Sequence, residues 1–424
     1  MRGEIWTQPK VFAILLICIL NGLNLWEERK NLKLPQSWKV TKLLWEIFLG
    51  IGLVSTLISP YPIRSLLGQE QMGDGLLYWL LIAIFTLSNA LMLRVYPELA
   101  RAQLTGLVIG GAILALSIFP QVINWHLDYT ITSGQLIQSN ILASTIFQGH
   151  QPIGLYSHRG HASFVLAAVA IITLVGWQWK WINTRLAAIV GILIIPALLL
   201  TQTRAGLLAL MVAIAYKIGR KHYKFIIPTV LACLLVIGIS TTTRQIDNLP
   251  LIKQITSDRV HLWQVANRGI QKHPLLGWGM DGFGTAYPSV QYRRKLAKII
   301  RLGDFDFIYK HKDGRILRAQ LPTVKAHNLI LDTTLSVGIL GLIPYLTLLG
   351  LCLVQVINSP YRGIEAVAIA YLAYTFTWFE CAQFTHIAWW ALSFLGATNW
   401  RCPPSVTDET NTDVISSVES KFLN

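Results

Sequence analysis

Residues 186–219 read LAAIVGILIIPALLLTQTRAGLLALMVAIAYKIG. The run from Leu186 to Leu200 carries no charge, and neither does the run from Ala205 to Tyr216. Each approaches the roughly 20 apolar residues that cross a bilayer as a helix. Between them, Thr201-Gln202-Thr203-Arg204-Ala205-Gly206 makes a tight turn, so that two spans, 186–203 and 205–219, run almost together at one membrane edge. In hydrocarbon every backbone N–H and C=O must be satisfied internally, which makes such runs helices.

Outward from this pair, comparable segments fall at 11–27, 43–59, 75–93, 104–123, 161–179, 225–241, 327–357, 363–380 and 386–400. The expected fold is therefore an all-α integral membrane protein of about 11 transmembrane helices, within a range of about 10–12. Composition agrees. The 424 residues are 53% hydrophobic and 13% charged, against about 25% charged in soluble proteins. So apolar a chain could not cover its surface with polar groups, which excludes a cytoplasmic enzyme, a disordered scaffold and a small secreted module. The first apolar stretch lacks a small-residue cleavage site and reads as a true span. Cys18, Cys233, Cys352, Cys381 and Cys402 show neither a disulfide framework nor a zinc spacing.

Loop charges orient the chain. Arg29, Lys30, Lys33, Lys39 and Lys42, then Arg94, Arg101, Lys180, Arg185, Arg220, Lys221, Lys224, Arg362 and Arg401 fall on one side, which is read as cytoplasmic. The alternate loops 60–74, 124–160 and 381–385 hold only Arg64 and Arg159. The C-terminus is then inside, and the N-terminus outside for a count of about 11. The chain divides into an N-terminal bundle (1–241), an external loop domain (242–326), C-terminal helices (327–400) and a cytoplasmic tail (401–424).

The long external loop carries 15 Lys and Arg against six Asp. Long translocated segments tolerate such a surplus, and it points to an anionic partner at the outer surface or to a loop resting on anionic headgroups. Within the loop, 258–272 reads as helix. Gly277-Trp278-Gly279-Met280-Asp281-Gly282-Phe283-Gly284 is a tightly turned element without the flanking strand that a dinucleotide site needs. Asp313-Gly314, between Phe307-Ile308-Tyr309 and Ile316-Leu317, suits a two-residue hairpin. No internal repeat is visible.

Ionisable residues at the membrane are functional candidates by default. On the outer side the topology gathers Arg204, His327, Arg259, Glu380, His386 and the group His158, Arg159 and His161, with the two last-named histidine positions, 158 and 161, read as structural. A histidine, several arginines and a carboxylate fit glycosyl transfer from a lipid diphosphate. The leaving group needs charge neutralisation, which arginines supply. The acceptor hydroxyl needs a base, which histidine supplies near neutral pH.

Three motifs carry a resemblance. His327-Asn328, nine residues, Gly338, two residues and Gly341 is similar to the His-[Asn/Ser/Gln]-x9-Gly-x2-[Gly/Thr/Tyr] signature of the O-antigen ligase and O-antigen polymerase superfamily. Thr201-Gln202-Thr203-Arg204-Ala205-Gly206 resembles its Thr-x-Ser-Arg-Gly/Ala turn, with Thr203 where Ser is commoner. Arg259-x3-Trp263, followed by His273-Pro274-Leu275-Leu276-Gly277-Trp278-Gly279, resembles its Arg-x3-Trp and Pro-x2-Gly-x-Gly run. The resemblance covers about residues 150–345.

It implies a GT-C-like, inverting glycosyltransferase, independent of metals and cofactors, at the periplasmic face of the bacterial inner membrane. The donor would be an undecaprenyl-diphosphate-linked glycan and the acceptor lipid A-core; no nucleic acid is implied as a partner. His327 would be the general base, and Arg204 and Arg259 would hold the diphosphate. Arg159 joins them from topology alone, and Asn328 and Glu380 are further candidates. The family often has an arginine in its early outer loop. Here that run is Gln71-Met72-Gly73-Asp74-Gly75, so either Arg64 supplies the contact or it is absent. Asp304-Phe305-Asp306 resembles an Asp-x-Asp metal site, but two acids this close arise easily by chance. Trp389 and Trp390 read as an interfacial aromatic belt. The enzymatic alternatives are a polymerase and a protein O-oligosaccharyltransferase. From another class, a bicarbonate or other anion transporter is the alternative, disfavoured by the missing repeats and deep charge pairs.

Overall fold

The computed structural model describes residues 2–30, 32, 34–69, 72–122, 152–219, 259–292, 296–321 and 323–396. The expected span 225–241 and the tail 401–424 lie outside them. Five helices come first: α1 (Arg2–Glu28), α2 (Gln36–Ile58), the short α3 (Pro62–Leu67), α4 (Leu76–Val95) and α5 (Leu99–Val122). They are followed by α6 (Arg159–Gln178), α7 (Thr184–Leu200) and α8 (Arg204–Gly219). The loop domain contributes α9 (Val260–Lys272) and α10 (Gly282–Gln291), then strands β1 (Leu296–Leu302), β2 (Asp306–His311) and β3 (Ile316–Gln320). The chain returns through α11 (Leu329–Ile357), α12 (Glu365–Thr375) and α13 (Thr385–Leu392).

Six of these helices are long and apolar enough to cross a membrane: α1 from Trp6, α2, α4, α5, α6 and α11. Their outward residues, such as Leu57, Ile113 and Ile343, are exposed and apolar, as a lipid-facing surface requires. The last two expected spans, 363–380 and 386–400, are not long helices. α12 has 11 residues and α13 has eight. The chain leaves helix after Thr375 and carries Thr377 to Glu380 towards α6 and α11 before turning into α13. Non-helical backbone is tolerated at depth where protein surrounds it, and Phe379, Cys381, Ala382 and Phe384 are buried. Trp389 and Trp390 are not a belt. Trp389 is fully buried, with its ring 4.6 Å from that of Trp45, and Trp390 donates to Gln103 Oε1 at 2.8 Å. Indole burial against α2 and α5 wins over interfacial placement because α13 lies inside the bundle rather than on its rim.

The all-α expectation is corrected by the loop domain, where an antiparallel β1-β2-β3 sheet forms. The hairpin at Asp313-Gly314 exists, but its loop has three residues rather than two. His311 N–H donates to the Arg315 carbonyl at 2.8 Å around Lys312–Gly314, and Gly314 takes φ +91°. Phe307 and Tyr309 point from β2 into a second apolar core with Trp263, Trp278, Phe283, Tyr287 and Leu335. Because Leu335 belongs to α11, that core fastens the loop domain onto the membrane bundle.

The fastening runs through the middle of α11. Gly338 has φ +67° and ψ −174°, which breaks the helix there. Into the break fits the loop segment after α9. Ile339 N–H donates to the Pro274 carbonyl at 2.9 Å, and Trp278 and Gly279 N–H donate to the Leu335 and Ser336 carbonyls at 2.9 and 3.0 Å. Ser55 of α2 closes the junction, its hydroxyl reaching the Leu276 and Ser336 carbonyls at 2.5 and 2.8 Å. The motif glycine thus marks a crossing of two backbones, where a Cβ would collide with the Leu275 carbonyl.

Candidate active site

α11 begins with a compact cap. Asn328 Oδ1 accepts from Ile330 and Leu331 N–H at 3.1 and 3.2 Å, the arrangement that makes asparagine a preferred N-cap. One turn on, Asp332 reaches back, and its carboxylate accepts from Ala326 N–H at 2.7 Å and Asn328 N–H at 3.4 Å. Between these two anchored amides His327 is left in the left-handed region, φ +60°. Few non-glycine residues adopt that conformation, and surrounding structure must over-determine it.

The His327 ring is fixed in turn. Its Nδ1 lies 3.1 Å from the Lys325 carbonyl. A carbonyl only accepts, so Nδ1 carries the proton and donates, which leaves Nε2 as the free base. Trp378 and Phe379 hold the imidazole edge-on, at centroid distances of 5.0 and 4.8 Å. Burial, and then the charge of Arg259, push the His327 pKa down to about 3, so the ring is neutral near pH 7.

Trp378 is the hub of the group. The Arg259 guanidinium sits 5.1 Å from its ring centroid, within cation–π range, and Nη1 donates to the neighbouring Thr377 carbonyl. His158 packs on the same indole at 5.3 Å. It caps α6, its Nδ1 accepting from Gly160 N–H at 2.9 Å, and burial followed by the Arg159 charge lowers its pKa to about 4. Arg159, the first residue of α6, is half-buried and makes no hydrogen bond or ion pair among the described residues. Arg204 opens α8 and is exposed. Its turn reaches the same end of α6 because Gly206 packs directly on Ser163, where a Cβ would have no room.

The structure thus brings His327 and Arg259 onto one indole, sets His158 and Arg159 beside them, and places the Arg204 turn against the first turn of α6. His161 is instead buried in a structural network with Gln383 Oε1 at 3.3 Å and Ser157 Oγ at 3.4 Å. Glu380 accepts from the hydroxyls of Tyr345 and Tyr371. It lines a cavity of about 30 Å³ with Asp74, Asp281, Lys325 and Asp332, about one water in size. Arg64 does not touch the His327 cluster. Its guanidinium faces Asp281 at 3.3 Å, Asp304 at 3.9 Å and the Gly303 carbonyl at 2.8 Å. Asp306 pairs with Arg318 on the next strand.

Sequence reading missed Trp378 and Phe379, and it gave no role to Lys325, Asp74, Asp281 or Asp332. Trp378 stands in an aromatic run, Phe376-Thr377-Trp378-Phe379, whose hydropathy reads as the end of a span. Only the non-helical turn after α12 sets it against residues more than 50 positions away. The acidic residues beside Gly73, Gly282 and Leu331 could have been flagged as ionisable groups next to apolar segments.

Residues 189–346 match the O-antigen ligase family. The match supports the superfamily that the three motifs resemble, and it takes in the Arg204 turn, Arg259, His327 and Gly338. No curated protein is similar enough to the chain to count as a match. The match and the apolar helices together describe a helical membrane protein with a segment, residues 189–346, that is similar to the O-antigen ligase family.

Proposed function

We propose that this chain is an inverting, metal-independent glycosyltransferase. It transfers a glycan from undecaprenyl diphosphate to lipid A-core at the periplasmic face of the bacterial inner membrane. The observation that carries the reading is the neutral His327 ring, its Nδ1–H held by the Lys325 carbonyl and its Nε2 free, sharing the Trp378 indole with Arg259. The charge pattern of the loops assigns this end of the helices to the outer side, which supports the periplasmic placement.

In the proposed reaction an acceptor hydroxyl oxygen attacks the anomeric carbon from the face opposite the diphosphate. His327 Nε2 takes the hydroxyl proton as the new C–O bond forms. The bond to the diphosphate oxygen breaks with its electron pair, leaving undecaprenyl diphosphate. Attack opposite the leaving group inverts the anomeric centre. Arg204, Arg259 and Arg159 supply the positive charge that the departing diphosphate needs, a demand that grows into the transition state.

The test is reconstituted transfer with an undecaprenyl-diphosphate glycan and lipid A-core, wild type beside His327→Ala. A glycosylated core band that falls by about 10²–10⁴-fold in the variant is the expected result. Ladders built on the donor lipid would make the protein a polymerase. No product from authentic host donor and acceptor, with folded protein, would overturn the transferase reading in favour of anion transport.

A further inference from the structure

A row of alternating charges runs under the His327 cap. The Lys325 ammonium pairs with Asp74 and, at 3.2 Å, with Asp281 Oδ1. Asp281 Oδ2 faces Arg64, which also meets Asp304 and the Gly303 carbonyl. Lys325, Asp74 and Asp281 are all buried, so these are charges largely removed from bulk water and paired with one another. Burial acts against the charged form of Lys325, but the carboxylates of Asp74, Asp281 and Asp332 outweigh it and hold the ammonium above the ordinary lysine range. The three partners come from distant parts of the chain. Asp74 precedes α4 on the early outer loop, Asp281 sits at φ +58° in the glycine-rich turn before α10, and Lys325 lies two residues before His327.

What this arrangement fixes is the Lys325 carbonyl. That oxygen accepts from His327 Nδ1 and also from the Thr323 hydroxyl, at 3.1 and 3.2 Å. Asp332 holds the amides on both sides of His327, those of Ala326 and Asn328, and Asn328 caps the helix beyond. On its N-terminal side the deepest anchor is the Lys325 side chain. A left-handed histidine needs restraint from both directions, and the tautomer of its ring depends on where that one carbonyl lies.

We propose that Lys325, clamped between Asp74 and Asp281, is the positioning residue that keeps His327 in its Nε2-free tautomer. The role in catalysis rests on the transferase reading above; the structural role does not.

The experiment uses the full chain in lipid nanodiscs with 15N-labelled histidine, the His327 signals being identified by their loss in His327→Gln. Wild type is expected to show a protonated Nδ1 and an unprotonated Nε2. Two variants are compared, Lys325→Met and the charge-neutral pair Lys325→Met with Asp74→Asn. The second removes the ammonium without leaving Asp74 charged and unpaired, so it disturbs the fold less than the single change. Both are expected to show a mixed tautomer. In the transfer assay, kcat is expected to fall by at least about tenfold and by no more than the ~10²–10⁴-fold that a general base contributes, at unchanged KM for donor. A wild-type tautomer pattern in the folded double variant overturns the proposal. A shifted pattern together with full transfer by His327→Ala would leave the clamp standing and remove the catalytic reading instead.

Discussion

Arg259 does two things that only a guanidinium does at once. Its Nη1 donates to the Thr377 carbonyl while the guanidinium lies near the Trp378 ring. Lysine would keep the charge but neither the fork nor the stacking. In the transfer assay Arg259→Lys is therefore expected to lower kcat/KM by about 10- to 100-fold, since one lost donor at developing charge costs up to ~10²–10³. Wild-type kinetics in this variant would show that the guanidinium does not hold the diphosphate. His327 differs from Arg259 in what its neighbours do. They deny it a proton, so a rate profile governed by His327 should show no acid limb near the ordinary histidine value of about 6.5. The limb should lie near the lowered value of about 3.

At the scale of the element, α11 is two helices joined by Gly338. The upper piece presents His327 and its cap, the lower piece packs on α2 through Tyr345 and Phe48, with ring centroids 5.2 Å apart, and the break receives Pro274 to Leu276. Gly338→Ala would put a Cβ against the Leu275 carbonyl, in a backbone region that L side chains rarely adopt. We expect a destabilisation of at least about 1–3 kcal/mol, read as a lower thermal midpoint in detergent, with transfer activity lost as the loop domain comes away from α11. Gly350, on the same helix with open space around it, is the control. Gly350→Ala should be neutral or slightly stabilising. Equal midpoints for the two variants would mean that the crossing at Gly338 does not hold the loop domain.

For the whole molecule, acid is the simplest probe of how the candidate site is buried. His327 and His158 have values of about 3 and about 4 in the folded protein, each lowered chiefly by burial, against about 6.5 in an unfolded chain. As pH falls below 6.5 the unfolded chain takes up protons at both positions and the native protein does not. Their contribution to stability is therefore full above about pH 6.5 and is lost progressively towards pH 4 and 3. The check is the thermal midpoint between pH 7.5 and pH 5 for wild type and for His158→Gln with His327→Gln. The wild-type midpoint is expected to fall more steeply than that of the double variant. Parallel curves would show that the two rings already titrate normally in the folded state.

Hydropathy alone determined that this chain is a helical membrane protein, and the run from Leu186 to Tyr216 located α7, its turn and α8 within a few residues. Motif spacing picked out His327, Arg204 and Arg259 as candidates, because residue types at fixed separations can be read along the linear order. Tertiary structure decided the rest. Hydropathy could not separate a full span from the 11-residue α12, since a non-helical segment buried in protein is as apolar as one in lipid. Nor could it tell that Trp389 belongs to the core and not to a belt. The β-sheet behind the loop domain depends on pairing between strands and not on any one run of residues. Above all, Trp378, Lys325 and the carboxylates of Asp74 and Asp281 gain their meaning only from contacts across hundreds of residues. The charge that holds the candidate base in place is balanced in space, not along the chain.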